Sequence, residues 1–556
     1  MIIYLYKLNK LRRILKKFLE FLRVKIFLWE SVDNTLNSKI LPFPPSEKYV
    51  DLMQQSRIDM NQYFSTKFQS YKLNSAEKYF RKFYDLRYLE YFSFENQIKK
   101  LFPHNKKKII LGGGFCKNIY SKYSGTHFFF PLLFVIKLVY SFIFVTLYFF
   151  KAFILSCKSI NKIKPNSIIY LRKKPYPDLG MKDDLEKKLI KNNYGLTGLF
   201  SIFSNKDQEY GFYYLNCISG SCRRALDSYL YVLSICSRIS KVVSKNKIPL
   251  SDLSEYLRDI FLAKNIALIN SKIFVGVLVD KPIHSILKTV TSDKQLVMGI
   301  NESFFYPPFR SFDYNNLDVY FSLNEIDENL QNKFGGEIKK FQRVSFIRSN
   351  LKSTSGGISR DLNQLIKKFQ NVCIVATMQV SETGYIQWSK TELKKLLDAV
   401  KEMAQVYPNH LFILKGKKNE LSHYDEFIKA ELDIFENVYV IHSIKPRMLK
   451  FNQFEDLLDV ANLVVSMSHT STTIWQSISK LIPVIAINDA HPNSFLHKFS
   501  HVEVKSKNLL EAYRYWHSID ENQKINSLSN IKKEVELGKS NGINMIAEYI
   551  SELLQV

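Results

Sequence analysis

Six hydroxyl side chains fall within eight residues, Ser466-Met467-Ser468-His469-Thr470-Ser471-Thr472-Thr473, directly after the apolar run Leu463-Val464-Val465. A hydroxyl-rich turn between a strand and a helix presents backbone N–H groups of the helix start together with Ser and Thr side chains. That combination suits an anion such as a diphosphate. The plainer use of the same residues is an ordinary helix N-cap. Two further turns follow apolar runs. Lys415-Gly416-Lys417-Lys418 carries ammonium groups that can pair with phosphate, or that simply stand in solvent. Ala376-Thr377-Met378-Gln379, with Glu382 and Gly384 beyond it, offers amides and the Thr377 hydroxyl. Two carboxylates are candidates for accepting a proton: Glu302, after Val297-Met298-Gly299-Ile300, and Asp178, in a turn-rich loop after Ser167–Arg172. Arg172, Lys173 and Lys174 beside Asp178 can hold an anionic acceptor or solvate the turn. His442, His469 and His491 near the ends of apolar runs read as surface or capping residues.

Other chemistries lack their motifs. The chain has no G-x-G-x-x-G and no G-x-x-x-x-G-K-[ST], which disfavours classical dinucleotide binding and P-loop hydrolysis. Cys217 and Cys222 are close but lack a second Cys/His pair at zinc spacing. The expectation is no metal and no cofactor, with six Cys as reduced thiols.

The elements that position these turns alternate. Short apolar runs at 167–172, 195–203, 272–279, 295–300 and 318–323 alternate with helical patterns at 181–192, 220–245 and 251–266. A second series runs 372–376, helix 390–406, 411–415, helix 423–432, 438–441, helix 454–460, 463–466, helix 472–480 and 484–487. Strand–helix alternation with short loops predicts parallel sheets with crossover helices, hence two Rossmann-like doubly wound domains. Their expected bounds are 165–350 and 365–556, with a polar hinge over 340–370 that includes Ser353, Thr354, Ser355, Gly356 and Gly357. In such sheets ligands bind at the carboxyl ends of the strands, where the three turns converge.

The first 127 residues hold 24 Lys+Arg against 10 Asp+Glu, out of a whole-chain net charge of +27 over 556 residues. Leu8, Leu11, Leu15, Phe18, Leu22 and Ile26 recur at helical spacing, with Lys7, Lys10, Arg13, Lys17 and Arg23 off that line. This predicts a basic amphipathic helix over 3–28, suited to a bilayer interface or to the protein's own core. Residues 128–157 form an apolar segment, uncharged from Leu138 to Phe150 and flanked by Lys137 and Lys151. The run is short of the ~20 residues a spanning helix needs, and both flanks are basic. The expectation is a helix lying on or re-entering the inner leaflet, ahead of a true span. The 46% hydrophobic content excludes a disordered chain, and the basic residues form no recognised nucleic-acid motif.

The stretch 459–487 resembles the donor-site signature of GT-B glycosyltransferases of surface and capsular polysaccharide synthesis, and is similar to that of the CDP-glycerol glycerophosphotransferases. Ser471, Thr472 and Thr473 match the hydroxyl loop, and Pro483, Val484 and Ile485 the closing strand. The chain departs from the pattern at Asn462, where Asp is usual, at Gln476, where Glu is usual, and at Leu481, where Gly is usual. Asn301 and Glu302 stand where His-Gly is common. The resemblance implies a GT-B fold behind a helical, membrane-associated N-terminal region. It implies metal-independent sugar transfer from a nucleotide-sugar donor to a surface polysaccharide or lipid-linked glycan at the cytoplasmic face of the inner membrane, without nucleic acid. Lys415, Gly416, Ser468, His469, Thr470, Ser471, Thr472, Thr473, Gln476 and Thr377 would bind the donor; Glu302 or Asp178 would be the base. Transfer of a polyol phosphate from a CDP-linked donor, or a degenerate scaffold without nucleotide binding, are the alternatives on the same fold.

Overall fold

In a computed structural model, residues 222–246, 253–269, 271–277, 283–301, 315–333, 337–344, 357–377, 390–416, 434–441, 452–467, 471–489, 495–535 and 542–555 are described. So are strands at 2–7, 25–30, 39–40, 108–111, 168–172, 196–200 and 212–214, most of 139–150, and positions 185, 428, 431 and 432.

Three parallel sheets organise these residues. The first has β1 (Ile2–Lys7), β2 (Lys25–Glu30), β3 (Lys39–Ile40) and β4 (Lys108–Leu111) in the order β3-β2-β1-β4. This corrects the expected helix over 3–28, both ends of which are strand. Ile2-Ile3-Tyr4-Leu5-Tyr6 and Ile26-Phe27-Leu28-Trp29 are β-branched and aromatic runs, and pairing across a sheet outweighs a helical spacing carried mainly by residues between them.

The second sheet comprises β5 (Ile168–Arg172), β6 (Leu196–Phe200), β7 (Phe212–Tyr214), β8 (Ile273–Val277), β9 (Leu296–Ile300), β10 (Asn316–Ser322) and β11 (Glu337–Arg343). The third comprises β12 (Asn371–Ala376), β13 (His410–Lys415), β14 (Val438–Ile441), β15 (Leu463–Ser466), β16 (Val484–Ile487) and β17 (Glu503–Val504). Their orders are β11-β10-β9-β8-β5-β6-β7 and β14-β13-β12-β15-β16-β17, with every described pair parallel. In each, the chain starts in the middle, winds outward through three strands, returns beside its first strand and winds the other way. This is the doubly wound α/β architecture, twice, with a reversal between β5 and β8 and another between β12 and β15.

The helices whose full ranges lie among the described residues are α1 (Cys222–Asn246), α2 (Leu253–Ala267), α3 (Ile283–Val290), α4 (Glu325–Lys333), α5 (Arg360–Ile366), α6 (Lys390–Val406), α7 (Phe454–Leu458), α8 (Thr472–Ser479), α9 (Leu509–Ser518), α10 (Glu521–Glu534) and α11 (Gly542–Gln555). Strands β12, β15 and β16 are buried almost end to end, because helices cover both faces of a parallel sheet. α6 shows how the cover is made. Leu393, Leu396, Leu397, Val400, Met403 and Ala404 recur every three or four residues and are all buried, while Lys394, Lys395 and Glu402 face out. Each such Leu contributes roughly 1.5–3 kcal/mol by leaving water.

Both ends of the stretch 340–370, expected as a polar hinge, are regular structure. β11 extends to Arg343 and α5 begins at Arg360. β11 reads Glu-Ile-Lys-Lys-Phe-Gln-Arg and lies mostly exposed at the sheet edge, so it carries no apolar run to announce it. Gly357 takes a left-handed φ of 80°, which an L side chain resists. Its carbonyl accepts from the Asn452 N–H, while the Asn452 side chain accepts from the Ser359 N–H and donates to the Ser359 hydroxyl. That stitch fixes the entry to α5 against the turn before α7.

The last helix returns to the second sheet. The Phe321 ring of β10 meets Tyr549 of α11 edge-on at 5.7 Å, and Lys340 Nζ of β11 lies 4.7 Å above the same ring. The Asn324 side chain, just before α4, donates to the Val535 carbonyl that follows α10, at 2.9 Å. Val535 and Tyr549 thus hold to the unit that contains β10 and β11.

Candidate functional site

The reversal between β12 and β15 brings the three predicted turns to one edge. Ala376 pairs with Lys415 on one side and with Ser466 on the other. The Thr377 N–H donates to the Lys415 carbonyl at 3.0 Å, and the Met467 N–H donates to the Ala376 carbonyl at 2.9 Å. Neighbouring strands are about 4.8 Å apart, so Thr377, Lys415-Gly416 and Ser466 form a continuous lip.

α8 starts at this lip. Ser471 is its N-cap in extended conformation, with Oγ accepting from the Thr473 N–H at 3.3 Å. The Ser471 and Thr473 hydroxyls lie 2.7 Å apart, and Thr473 donates on to Ser466 Oγ at 3.4 Å. A ladder of three hydroxyls therefore joins the helix start to the end of β15. The N–H of Thr472, in the first turn, has no carbonyl one turn earlier within the helix to donate to. The first turn holds no acidic residue that would occupy this positive end. Thr377 is buried, and among the described residues its Oγ1 has no hydrogen-bond partner. A buried, unpaired hydroxyl costs about 1–3 kcal/mol, which a ligand oxygen would recover.

Of the residues singled out from the sequence, Thr377, Lys415, Gly416, Ser471, Thr472 and Thr473 are at this edge. Ser468, His469 and Thr470, within the same turn, lie outside the described residues, as do Glu302, Asp178, His442 and His491. Gln476, one turn into α8, is buried, and its amide donates to Glu455 of α7 at 3.0 Å. A carboxylate thus stands against the position where the resembled signature has Glu, supplied by another helix. Nothing in the sequence pairs residues 21 apart across two helices, so Glu455 is not found from the sequence alone.

The other two departures have local causes. The Asn462 side chain accepts from the Val372 N–H at 2.8 Å, and the Asn462 backbone N–H donates to the Val372 carbonyl at 2.9 Å. It closes the opposite, amino end of the sheet, a task an amide oxygen performs as a carboxylate would. Leu481 adopts φ 57°, the left-handed conformation for which Gly is suited, at a cost of roughly 1–2 kcal/mol. The side chain packs on the core in partial return.

In the second sheet, Asn301 follows β9 and is a structural residue. Its Nδ2 donates to Asp327 Oδ2 at 3.0 Å. The same carboxylate accepts from the Leu323 N–H at 3.1 Å and from the Tyr320 hydroxyl at 2.9 Å. Burial pushes the Asp327 carboxyl up to about 6, against the hydrogen bonds that lower it. Asp318, also buried, is held below the usual carboxylate range. Burial raises it, but Lys288, the Val297 N–H and Lys339 together outweigh that effect. Its oxygens are engaged by these partners. Among the described residues, no group of three or more His, Cys, Asp or Glu is placed to hold a metal ion.

No protein-family model matches the chain, and no curated protein sequence matches it. Solved structures that it resembles include a UDP-GlcNAc 2-epimerase from Neisseria meningitidis bound to UDP-GlcNAc, at 13% identity, covering 70% of this chain and 100% of that one, with TM-score 0.44. A second, trehalose-6-phosphate from E. coli bound with UDP-2-fluoro glucose, is 12% identical over 70% of this chain and 99% of that one, with TM-score 0.44. A third is Anabaena Alr3699/HepE in complex with UDP and glucose, at 12% identity over 70% and 99%, with TM-score 0.41.

Proposed function

We propose that the chain is a GT-B-type glycosyltransferase. It moves a sugar from a nucleotide-sugar donor to a surface polysaccharide or lipid-linked glycan at the cytoplasmic face of the inner membrane. The observation that carries this reading is the lip at the β12–β15 reversal. There a helix start without acidic residues, a three-hydroxyl ladder and a buried unpaired Thr377 hydroxyl meet. Donor phosphate oxygens would accept from the α8 amides and from Ser471 and Thr473, with Lys415 adding positive charge. In transfer, the acceptor hydroxyl oxygen bonds to the anomeric carbon as the bond to the nucleoside diphosphate breaks. The leaving diphosphate gains negative charge, which the helix start stabilises most as the bond breaks. The acceptor proton goes to a carboxylate of the first doubly wound unit, Glu302 or Asp178.

The test is ligand-observed NMR with UDP, GDP, CMP and CDP against the purified chain, with a Ser471→Ala/Lys415→Ala variant as control. Binding of one nucleotide that the variant loses supports the transferase and names the donor class; selective binding of CDP would turn the reading toward polyol phosphate transfer. Folded protein that binds none of the four would sink it in favour of a scaffold.

A finer outcome concerns Thr377. Thr377→Val removes a hydroxyl that is desolvated without a partner, so the free protein gains about 1 kcal/mol in thermal or urea unfolding. Nucleotide affinity falls about tenfold, the worth of one hydrogen bond to a charged oxygen. Unchanged affinity would remove Thr377 from the site.

A further inference from the structure

The described residues of 139–150 are helical, and their apolar side chains divide into two faces, except that Phe142, on the inward side, is 46% exposed. Val145 and Phe149 are buried, at 2% and 9% exposure. They face α1: the Phe149 ring stacks on Tyr229 at 4.4 Å, and the Thr146 and Tyr229 hydroxyls lie 2.7 Å apart. Val139, Tyr140, Ile143, Leu147 and Phe150, spaced i, i+1, i+4, i+8 and i+11, fall together on the other side and are 49–63% exposed. On α1, Leu226 and Leu230, three residues before and one after Tyr229, are also exposed, at 45% and 54%. This helix is apolar on both sides, one seated on the protein by a small contact with α1 and the other turned outward. Isolated exposed Leu residues need no explanation, but a run of large apolar side chains along one helix face marks an interaction surface.

Charge and length select the partner. Between Glu95 and Asp178 the sequence has no Asp or Glu and 15 Lys+Arg, with Lys137 and Lys151 bracketing the helix. An apolar face whose flanking sequence is basic, with a single exposed carboxylate, Asp227, between Leu226 and Leu230 on α1, suits anionic headgroups over acyl chains. A helix over 139–150 rises about 18 Å, short of the ~30 Å hydrocarbon core. No helix among the described residues is long and apolar enough to cross a membrane.

We infer that this face docks on an anionic bilayer surface, with the 139–150 helix lying in the plane of the interface and Tyr140, Ile143, Leu147 and Phe150 dipping into the headgroup–acyl boundary. The inference rests on this face alone and is independent of nucleotide binding at the β12–β15 edge.

The test is flotation of the full chain with phosphatidylcholine vesicles, with and without phosphatidylglycerol. The wild-type chain is expected to float with the anionic vesicles, less with the neutral ones, and less again as salt is raised. An Ile143→Asp/Leu147→Asp variant is expected to lose at least about tenfold in partitioning, since two buried apolar side chains become charged. A Leu147→Trp variant keeps the surface apolar. Its added fluorescence should shift blue and be quenched by brominated acyl chains, a readout that does not depend on the charged variant folding. The inference is overturned if the double variant floats as the wild type does, or if brominated chains leave the introduced indole unquenched. It is also overturned if the wild type ignores vesicles and forms a dimer that the double variant abolishes.

Discussion

Asp327→Ala costs about 3–5 kcal/mol in urea unfolding at pH 5, the largest stability loss expected of any single substitution outside the apolar core. The carboxylate is the common acceptor for the Asn301 amide, the Leu323 N–H and the Tyr320 hydroxyl, and Gln331 in turn donates to that hydroxyl. Removing it strands three buried donors, each at about 1–3 kcal/mol. The loss spreads, because Asn324 caps α4 by accepting from the Asp327 N–H with the same side chain that donates to Val535. Its pH dependence carries a sign that separates it from a simple packing defect. The folded carboxyl titrates near 6 against an ordinary value of 3.8, so the folded state holds the proton more tightly than the unfolded chain. Stability contributed by this group is therefore full below about pH 4, falls as pH rises to about 6, and stays low above. The total is roughly 3 kcal/mol for a shift of about two units. Asp327→Asn flattens that slope, and Asp327→Ala costs less at pH 8 than at pH 5. A wild-type stability that rises between pH 4 and 6, or an Ala variant within about 1 kcal/mol of wild type at pH 5, would contradict the account.

Ser471→Asp abolishes nucleotide binding, by more than about a hundredfold, while leaving the melting temperature within a degree or two of wild type. Aspartate caps a helix as well as serine does and is favoured by the helix dipole, so α8 keeps its start. The same carboxylate, however, puts a negative charge where the donor phosphates are proposed to sit. At about 4 Å and an effective dielectric near 20, one such repulsion is worth about 4 kcal/mol. Ser471→Ala makes the opposite trade. It loses about 1 kcal/mol of capping and only about tenfold in affinity. The pair of variants thus separates stability from binding at one residue, by titration of the nucleotide identified in the NMR screen alongside thermal unfolding. If Ser471→Asp bound nucleotide as the wild type does, the helix start would be a cap and nothing more.

The parts of this fold that can be read from the sequence are the parts with one environment along their length. β12, β13, β15 and β16 are buried on both faces, so Val372–Ala376, Leu411–Leu414, Leu463–Val465 and Val484–Ile487 appear as unbroken apolar runs, and their boundaries agree with the structure to within a residue. α6 and α8 are similarly marked by one apolar stripe. Edges are not so marked. β7, β11 and β17 are short or exposed, and Glu337–Arg343 reads as a charged loop. At the candidate site the hydroxyl cluster is legible because strand, turn and helix start are contiguous. The Gln476–Glu455 contact and the Thr377 orphan are not, because both depend on which side chains meet across the sheet. Asp327 is hidden for a different reason. Glu325, Asp327 and Glu328 together look like an ordinary acidic first turn facing water, and only the inward position of Tyr320 and Asn301 makes the middle one a buried acceptor.

The return of the chain's last helix to the second sheet bears on how the molecule is made. Synthesis runs from the N-terminus, so β10 leaves the ribosome long before the residues that cover it. Asn324 waits 211 residues for Val535, and Phe321 waits longer still for Tyr549. During that interval the earlier unit exposes an apolar ring and an unanswered amide, and only synthesis of α10 and α11 closes the seam. The two lobes are thus joined by a strap that is threaded after both sheets have been made. A chain stalled after β17 would carry a finished third sheet beside a second one still lacking its outer fastening.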